Sequence, residues 1–225
     1  MEFSDIYQGS TVPYRLRNTK PDTPYTFRVA VRAEGEKTWS LWSACHVTMT
    51  MLGHYEWETC KRPHYAVSDQ NKLASKLSAQ TQCIFSRDRT YTCGQLLIFR
   101  IVEQGKPHMS DGVGLVVQPR QANEDEEMTI NSLMGNGAFC VSSSGQVYIN
   151  GKEMVTRFPT LTAGMNIMYH TEVLPSVDKV RVSVEVAEKQ VTFDWVTDFN
   201  RGKLDEKKLF FGACFKYPGW KLSVQ

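Results

Sequence analysis

Trp39-Ser40-Leu41-Trp42-Ser43 is the stretch on which the reading of this chain turns. Two indoles stand three residues apart and each is followed by serine, a pattern that composition alone does not readily produce. A strand-like run precedes it. From Tyr25 to Arg32 the residues alternate, with Tyr25, Phe27, Val29 and Val31 on one face and Arg28, Ala30 and Arg32 on the other. The two guanidiniums can then interleave with the two indoles, each cation–π contact contributing roughly 0.5–2 kcal/mol. Trp39, Ser40, Trp42, Ser43, Arg28, Arg32 and Tyr25 are therefore expected to form a structural ladder rather than a reactive site. Direct contact of these residues with a ligand is the alternative.

Outward from this stretch, composition excludes several classes. The chain has 225 residues, 41% apolar and 22% charged, which is the balance of a globular protein of one or two domains. Its formal net charge of +2 offers no electrostatic footprint for nucleic acid, so no nucleic-acid partner is expected. The apolar runs Gln95–Val102 and Leu209–Phe215 fall far short of the ~20 residues that span a bilayer, and the N-terminus has no apolar signal core. No membrane partner is expected. The six cysteines are scattered over a chain large enough to build its own core, and no Asn-x-Ser/Thr acceptor occurs. Free thiols and a cytoplasmic location are the expectation.

The remainder reads as short strands. Residues 1–50 are β throughout, with turn chemistry at Asn18-Thr19-Lys20-Pro21-Asp22-Thr23-Pro24. Residues 51–80 read as a structured connector, in which Ser68-Asp69 could cap a short helix carrying Leu73, Ala74 and Leu77. From residue 81 to 225 strand-like runs recur at the spacing of an all-β sandwich. Gln95–Val102 is nearly continuous apolar, as a strand covered on both faces would be, and Asn150-Gly151 marks a two-residue hairpin turn. Val180–Val186 places four valines on one face and polar groups opposite.

Known families share these motifs. The run Lys20–Val29 resembles the corner between the last strands of a fibronectin type III domain, with Thr19 where that family usually has Leu, and Trp39–Ser43 resembles the Trp-Ser-x-Trp-Ser signature of class I cytokine receptors. A sandwich of that kind needs about seven strands, and roughly four fit before residue 50, so the chain is expected to be a fragment of a longer protein. The order of Thr92–Ile98, Asp111–Leu115, Cys140–Gly151 and the terminal Leu209–Val224 run is similar to a SPRY domain, a resemblance that begins near residue 55. The fold class implied is all-β, a partial fibronectin type III sandwich followed by a SPRY sandwich. A fibronectin half ending in this motif and followed at once by a SPRY domain resembles the cytokine receptor-like factors. That resemblance implies restraint of cell-cycle progression and an association with the cytoskeleton.

No catalytic constellation emerges. There is no Gly-x-Ser-x-Gly, the five histidines are scattered, and the glycine pairs lack the third glycine or the Lys of a phosphate loop. His54, Cys60 and His64 have irregular spacing for zinc, and Glu124-Asp125-Glu126-Glu127 lacks the spaced ligands of a calcium loop. No enzyme activity, cofactor or metal is expected. SPRY domains act as protein-interaction modules through their loops, which implies a protein partner. Candidate loops are Arg87-Asp88-Arg89-Thr90-Tyr91, the turn around Lys106-Pro107-His108, and Tyr217-Pro218-Gly219-Trp220, with Arg87, Arg89, Tyr91, Tyr217 and Trp220 as contact residues. Trp220 as a cover for the core is the competing expectation. Oligomerisation, if any, is expected through a missing N-terminal region. The alternative reading of the whole is a fragment of a class I cytokine-receptor-like ligand-binding module.

Overall fold

Alternating apolar and polar residues favour strands, and sixteen form among the described residues of the computed structural model. Described are residues 3–10, 14, 16, 23–49, 55–59, 64–88, 90–118, 132–174, 179–197 and 208–225. The chain divides into two compact units, Met1–Leu52 and Gly53–Gln225.

In the first unit β1 (Pro24–Phe27) pairs antiparallel with β2 (His46–Met49), Pro24 opposite Met49 and Phe27 opposite His46. Beyond Phe27 the backbone leaves regular strand geometry, yet Val29 and Val31 remain tied to the Trp-Ser repeat. Ser43 and Ser40 donate their N–H groups to the carbonyls of Val29 and Val31, both at 2.8 Å. Their hydroxyl oxygens in turn accept the Val29 and Val31 N–H groups, each at 2.9 Å. A three-residue spacing brings both serines to one side when the segment winds with about three residues per turn, as extended polyproline backbone does. The hydroxyls then stand in for the carbonyls that a two-residue strand repeat would have supplied.

The second unit contains β3 (Tyr65–Ser68), β4 (Leu73–Lys76), β5 (Gln82–Phe85), β6 (Tyr91–Thr92), β7 (Leu96–Glu103), β8 (Gly112–Val116), β9 (Ala138–Ser142), β10 (Gln146–Ile149), β11 (Lys152–Arg157), β12 (Asn166–Leu174), β13 (Lys179–Val186), β14 (Lys189–Val196), β15 (Lys208–Phe215) and β16 (Lys221–Val224). One sheet runs β11-β10-β9-β8-β15-β5, with β6 also on β15. The other runs β14-β13-β12-β7-β16-β4-β3. The sheets face each other across an aromatic core, in which Phe99 of one meets Phe211 of the other at 6.0 Å and Tyr169 meets Phe139 at 6.0 Å. The Tyr169 hydroxyl donates across the same gap to the Val113 carbonyl at 2.9 Å, so its burial leaves no donor unsatisfied.

Three expectations change. Ser68–Leu77 is not a capped helix: β3 and β4 form a hairpin, because Asp69, Gln70 and Asn71 all adopt positive φ and close a turn between two strands. The stretch read as a connector also supplies core. Tyr55 and Trp57 are buried, Trp57 meeting Phe211 edge-on at 5.1 Å while its indole N–H donates to the Lys72 carbonyl. Finally, β7 is covered on one face only, since Leu97, Phe99 and Ile101 are buried while Arg100 and Val102 are exposed. The Asn150-Gly151 turn does form, with φ of 50° and 81° and Ile149 opposite Lys152.

Cys45, Cys140 and Cys214 are free thiols, and Cys214 sits directly opposite Cys83 across β15 and β5. Cys60 and His54 lie outside the described residues. No helix among the described residues is long and apolar enough to cross a membrane.

Candidate functional site

The three loops singled out in the sequence do not share one end of the sandwich. Tyr91 pairs with Leu209 and Ser86 bonds the Phe211 backbone, which sets Arg87, Asp88 and Tyr91 beside the first half of β15. Tyr217 follows the last residue of the same strand. At about 3.3 Å per residue this separates the two groups by roughly 20 Å. Tyr91 is moreover a core residue, fully buried with its hydroxyl bonded to the Gln95 carbonyl and to Thr171 Oγ1 at 3.0 Å each, so it cannot serve as a surface anchor. Arg87 is exposed and faces Glu56 at 3.6 Å. Arg89 lies outside the described residues, as does Glu124–Glu127.

At the other end the turn after β7 and the turn after β15 meet. Asp111 is the link. Its Oδ2 accepts the His108 N–H at 2.8 Å and its Oδ1 accepts the Lys216 N–H at 2.7 Å, while its own carbonyl accepts the Ser143 N–H at 2.8 Å. One buried residue, through its carboxylate and its main-chain carbonyl, thus ties three loops together. Burial pushes its pKa up to about 6, against the two backbone N–H groups that hold it down. In the sequence Asp111 stands out only as the first residue of the Asp111–Leu115 run similar to a SPRY domain, and nothing there points to a clamp between loops.

Beneath these loops Trp220 is buried and stacked on Phe215, with ring centroids 4.6 Å apart. It therefore covers the core rather than contacting a partner. Gly105 packs against it so closely that an added Cβ would come within 2.6 Å of the indole and 2.7 Å of the Pro218 carbonyl. Gly219, with φ of 95°, makes the turn that allows the approach. Lys76 is 3% exposed, its ammonium 4.5 Å from the Tyr65 ring centroid, and desolvation lowers its pKa.

Above this floor the loops present side chains. Tyr217 is half-buried, with the His108 ring edge-on at 5.9 Å and the ammoniums of Lys106 and Lys216 at 4.9 and 5.5 Å from its centroid. Lys216 Nζ lies 3.3 Å from His108 Nε2, and Met109 beside them is 78% exposed. Of the loop residues picked out in the sequence that are described, Tyr217 is the one that lies at this end of the sandwich with its side chain partly exposed, joined by the Lys106–His108 turn. The arrangement offers an aromatic face, an exposed thioether and cationic groups. Among the described residues no group of three or more His, Cys, Asp or Glu could hold a metal, and His64 bonds Ser78.

The first-unit ladder also forms. Arg28 lies between two rings, 4.0 Å from the Phe3 centroid and 4.3 Å from that of Trp42, and Arg32 lies 4.8 Å from that of Trp39. The indoles nonetheless remain 49% and 50% exposed, and Val29 and Val31 are exposed rather than packed. Tyr25 is half-buried and stacked on Phe27.

Residues 66–225 match the family described as CRLF3 C-terminal domain. Proteins called cytokine receptor-like factor 3 are 31% identical to this chain in Homo sapiens and 32% in Xenopus laevis, over 99% of the chain and 50% of each relative. The chain spans about half the length of the curated relatives it matches. A crystal structure of a human SPRY domain superimposes with a TM-score of 0.52 at 15% identity, covering 72% of this chain and 94% of that one. The second unit therefore has the SPRY fold.

Proposed function

Because the chain belongs to the CRLF3 C-terminal domain family, we propose that it is a non-catalytic protein-interaction module that recognises a segment of another protein through the loop end formed by residues 105–111 and 216–219. The observation that carries this reading is the Asp111 clamp. A carboxylate buried at the junction of three loops costs desolvation, and what it secures is a fixed presentation of Tyr217 and Met109 on an otherwise closed sandwich. Tyr and Met are side chains that interface cores enrich. The first unit, on this reading, is the end of a fibronectin type III sandwich whose Trp-Ser ladder is a fold device, since Arg28 is already enclosed by Phe3 and Trp42. A cytoplasmic location, restraint of cell-cycle progression and association with the cytoskeleton accompany this proposal, by resemblance to the cytokine receptor-like factors.

The test is capture of binding proteins from cell extract by the whole chain. Tyr217→Ala and Met109→Ala should each weaken capture of the dominant partner by about thirtyfold, whereas Arg87→Ala at the far end of β15 should leave it unchanged. Loss with Arg87→Ala or with Trp42→Ala, and not with Tyr217→Ala, would move the site elsewhere.

A further inference from the structure

Three nitrogens that carry or can carry positive charge converge on one aromatic ring in the loop end. Lys106 and Lys216 both reach Tyr217, and Lys216 Nζ lies 3.3 Å from His108 Nε2. Among the described residues neither ammonium is paired with a carboxylate. Asp111, the acid of this cluster, is buried and has both oxygens occupied by backbone N–H groups. Positive charge is thus concentrated at a surface where each lysine is stabilised by a ring quadrupole rather than by an anion.

We infer that this cluster is a recognition site for a phosphorylated side chain on the partner peptide. A phosphomonoester brings about −1.5 to −2 charge and three acceptor oxygens, a match for two ammoniums and a His108 ring that becomes a donor on taking up a proton, whereas a carboxylate brings one charge and two oxygens. The His108 ring reports the field at the site. Its pKa is lowered first by desolvation and then by Lys216 and Lys106. The other charged groups close enough to matter are Asp111, held by its two backbone bonds, and Lys76 beneath it. A bound phosphate would reverse the balance, drawing a proton onto His108 and leaving Tyr217 as the flat wall against which the neighbouring peptide residue packs.

This inference rests on the loop end being the partner-binding surface, and the experiment separates the two. The whole chain is titrated against degenerate peptide pools carrying one central phosphoserine, the same pools with serine, and the same pools with glutamate. The phosphoserine pool should bind at least about tenfold more tightly than either other pool. Lys106→Ala and Lys216→Met should each remove about that advantage, while Arg87→Ala should not. Lys106 is exposed, so its loss carries little folding risk, and Lys216→Met keeps the aliphatic stem. Saturation with the phosphoserine pool should also move the His108 imidazole titration, followed by NMR, to higher pH. Equal binding of the serine and phosphoserine pools would overturn the phosphate assignment, and equal binding of the glutamate pool would reduce it to a carboxylate site. No binding of any pool, with extract capture still lost in Tyr217→Ala, would discard the phosphate and leave the interaction surface standing. Capture indifferent to Tyr217 would remove both.

Discussion

Tryptophan plays opposite parts in the two units of this chain. Trp39 and Trp42 lie on the surface of the first unit, half exposed, each fixed by an arginine laid across its face. In the second unit Trp57, Trp195 and Trp220 are entirely enclosed, and each indole N–H has a partner: the Lys72 carbonyl, Asn150 Oδ1 and the Lys106 carbonyl. The first arrangement draws its order from local cation–π contacts and serine hydrogen bonds. The second draws it from two sheets that exclude water over an aromatic core, and burial of a whole indole contributes far more than one exposed cation–π contact. A regular surface pattern and a stable core are different physical achievements of the same residue.

Substitution at the two kinds of tryptophan would break this contrast most directly. Trp57→Ala should lower the stability of the sandwich by about 3–5 kcal/mol, whereas Trp39→Ala should cost about 1 kcal/mol or less in the first unit. Urea unfolding followed by tryptophan fluorescence and amide exchange measures both, and comparable losses would show that the ladder is packed as a core.

A second effect belongs to the sandwich alone. Burial raises the pKa of Asp111 from its usual 3.8 to about 6. Between those values the native chain holds a proton that the unfolded chain has released. This group's contribution therefore favours the native state most at low pH, and stability declines as pH rises through about 6, by about 3 kcal/mol over the full window at 1.36 kcal/mol per unit. Urea midpoints compared at pH 4.5 and 7.5 should show this slope in the native chain and its loss in Asp111→Asn. An unchanged slope in the variant would assign it to other groups.

The smallest effect sharpens the account of the first unit. Ser43→Ala removes the hydroxyl that accepts the Val29 N–H. At about 1 kcal/mol for an exposed hydrogen bond, exchange of the Val29 amide should accelerate about fivefold, with sandwich stability unaltered. No acceleration would mean that the hydroxyl bond contributes nothing to local order.

Much of the architecture is readable from local pattern because strand formation has a period of two and hairpin turns have a narrow chemistry. The valines of β13 alternate as expected, and Asn150-Gly151 turns where it should. Reading failed at Ser68–Leu77, where a capping serine and spaced leucines fit a helix, yet the edge of a sheet was there to receive two strands. The site was less readable. Arg87 and Tyr217 look alike as exposed loop residues, but β15 holds them apart, and Tyr91 looks like an anchor until Gln95 and Thr171 satisfy its hydroxyl inside the core.

Sequence alone determined the strand-rich character, the Trp-Ser ladder with its arginine partners, and the all-β class, because each depends on neighbours within a few residues or on alternation along one strand. Tertiary structure decided which aromatic residues are buried, which loops share an end, and that Asp111 joins them. Those outcomes depend on register between strands far apart in the chain: Asp111 meets Lys216 because Gly112 pairs with Cys214 on β15, a contact between residues about a hundred positions apart that no local pattern encodes.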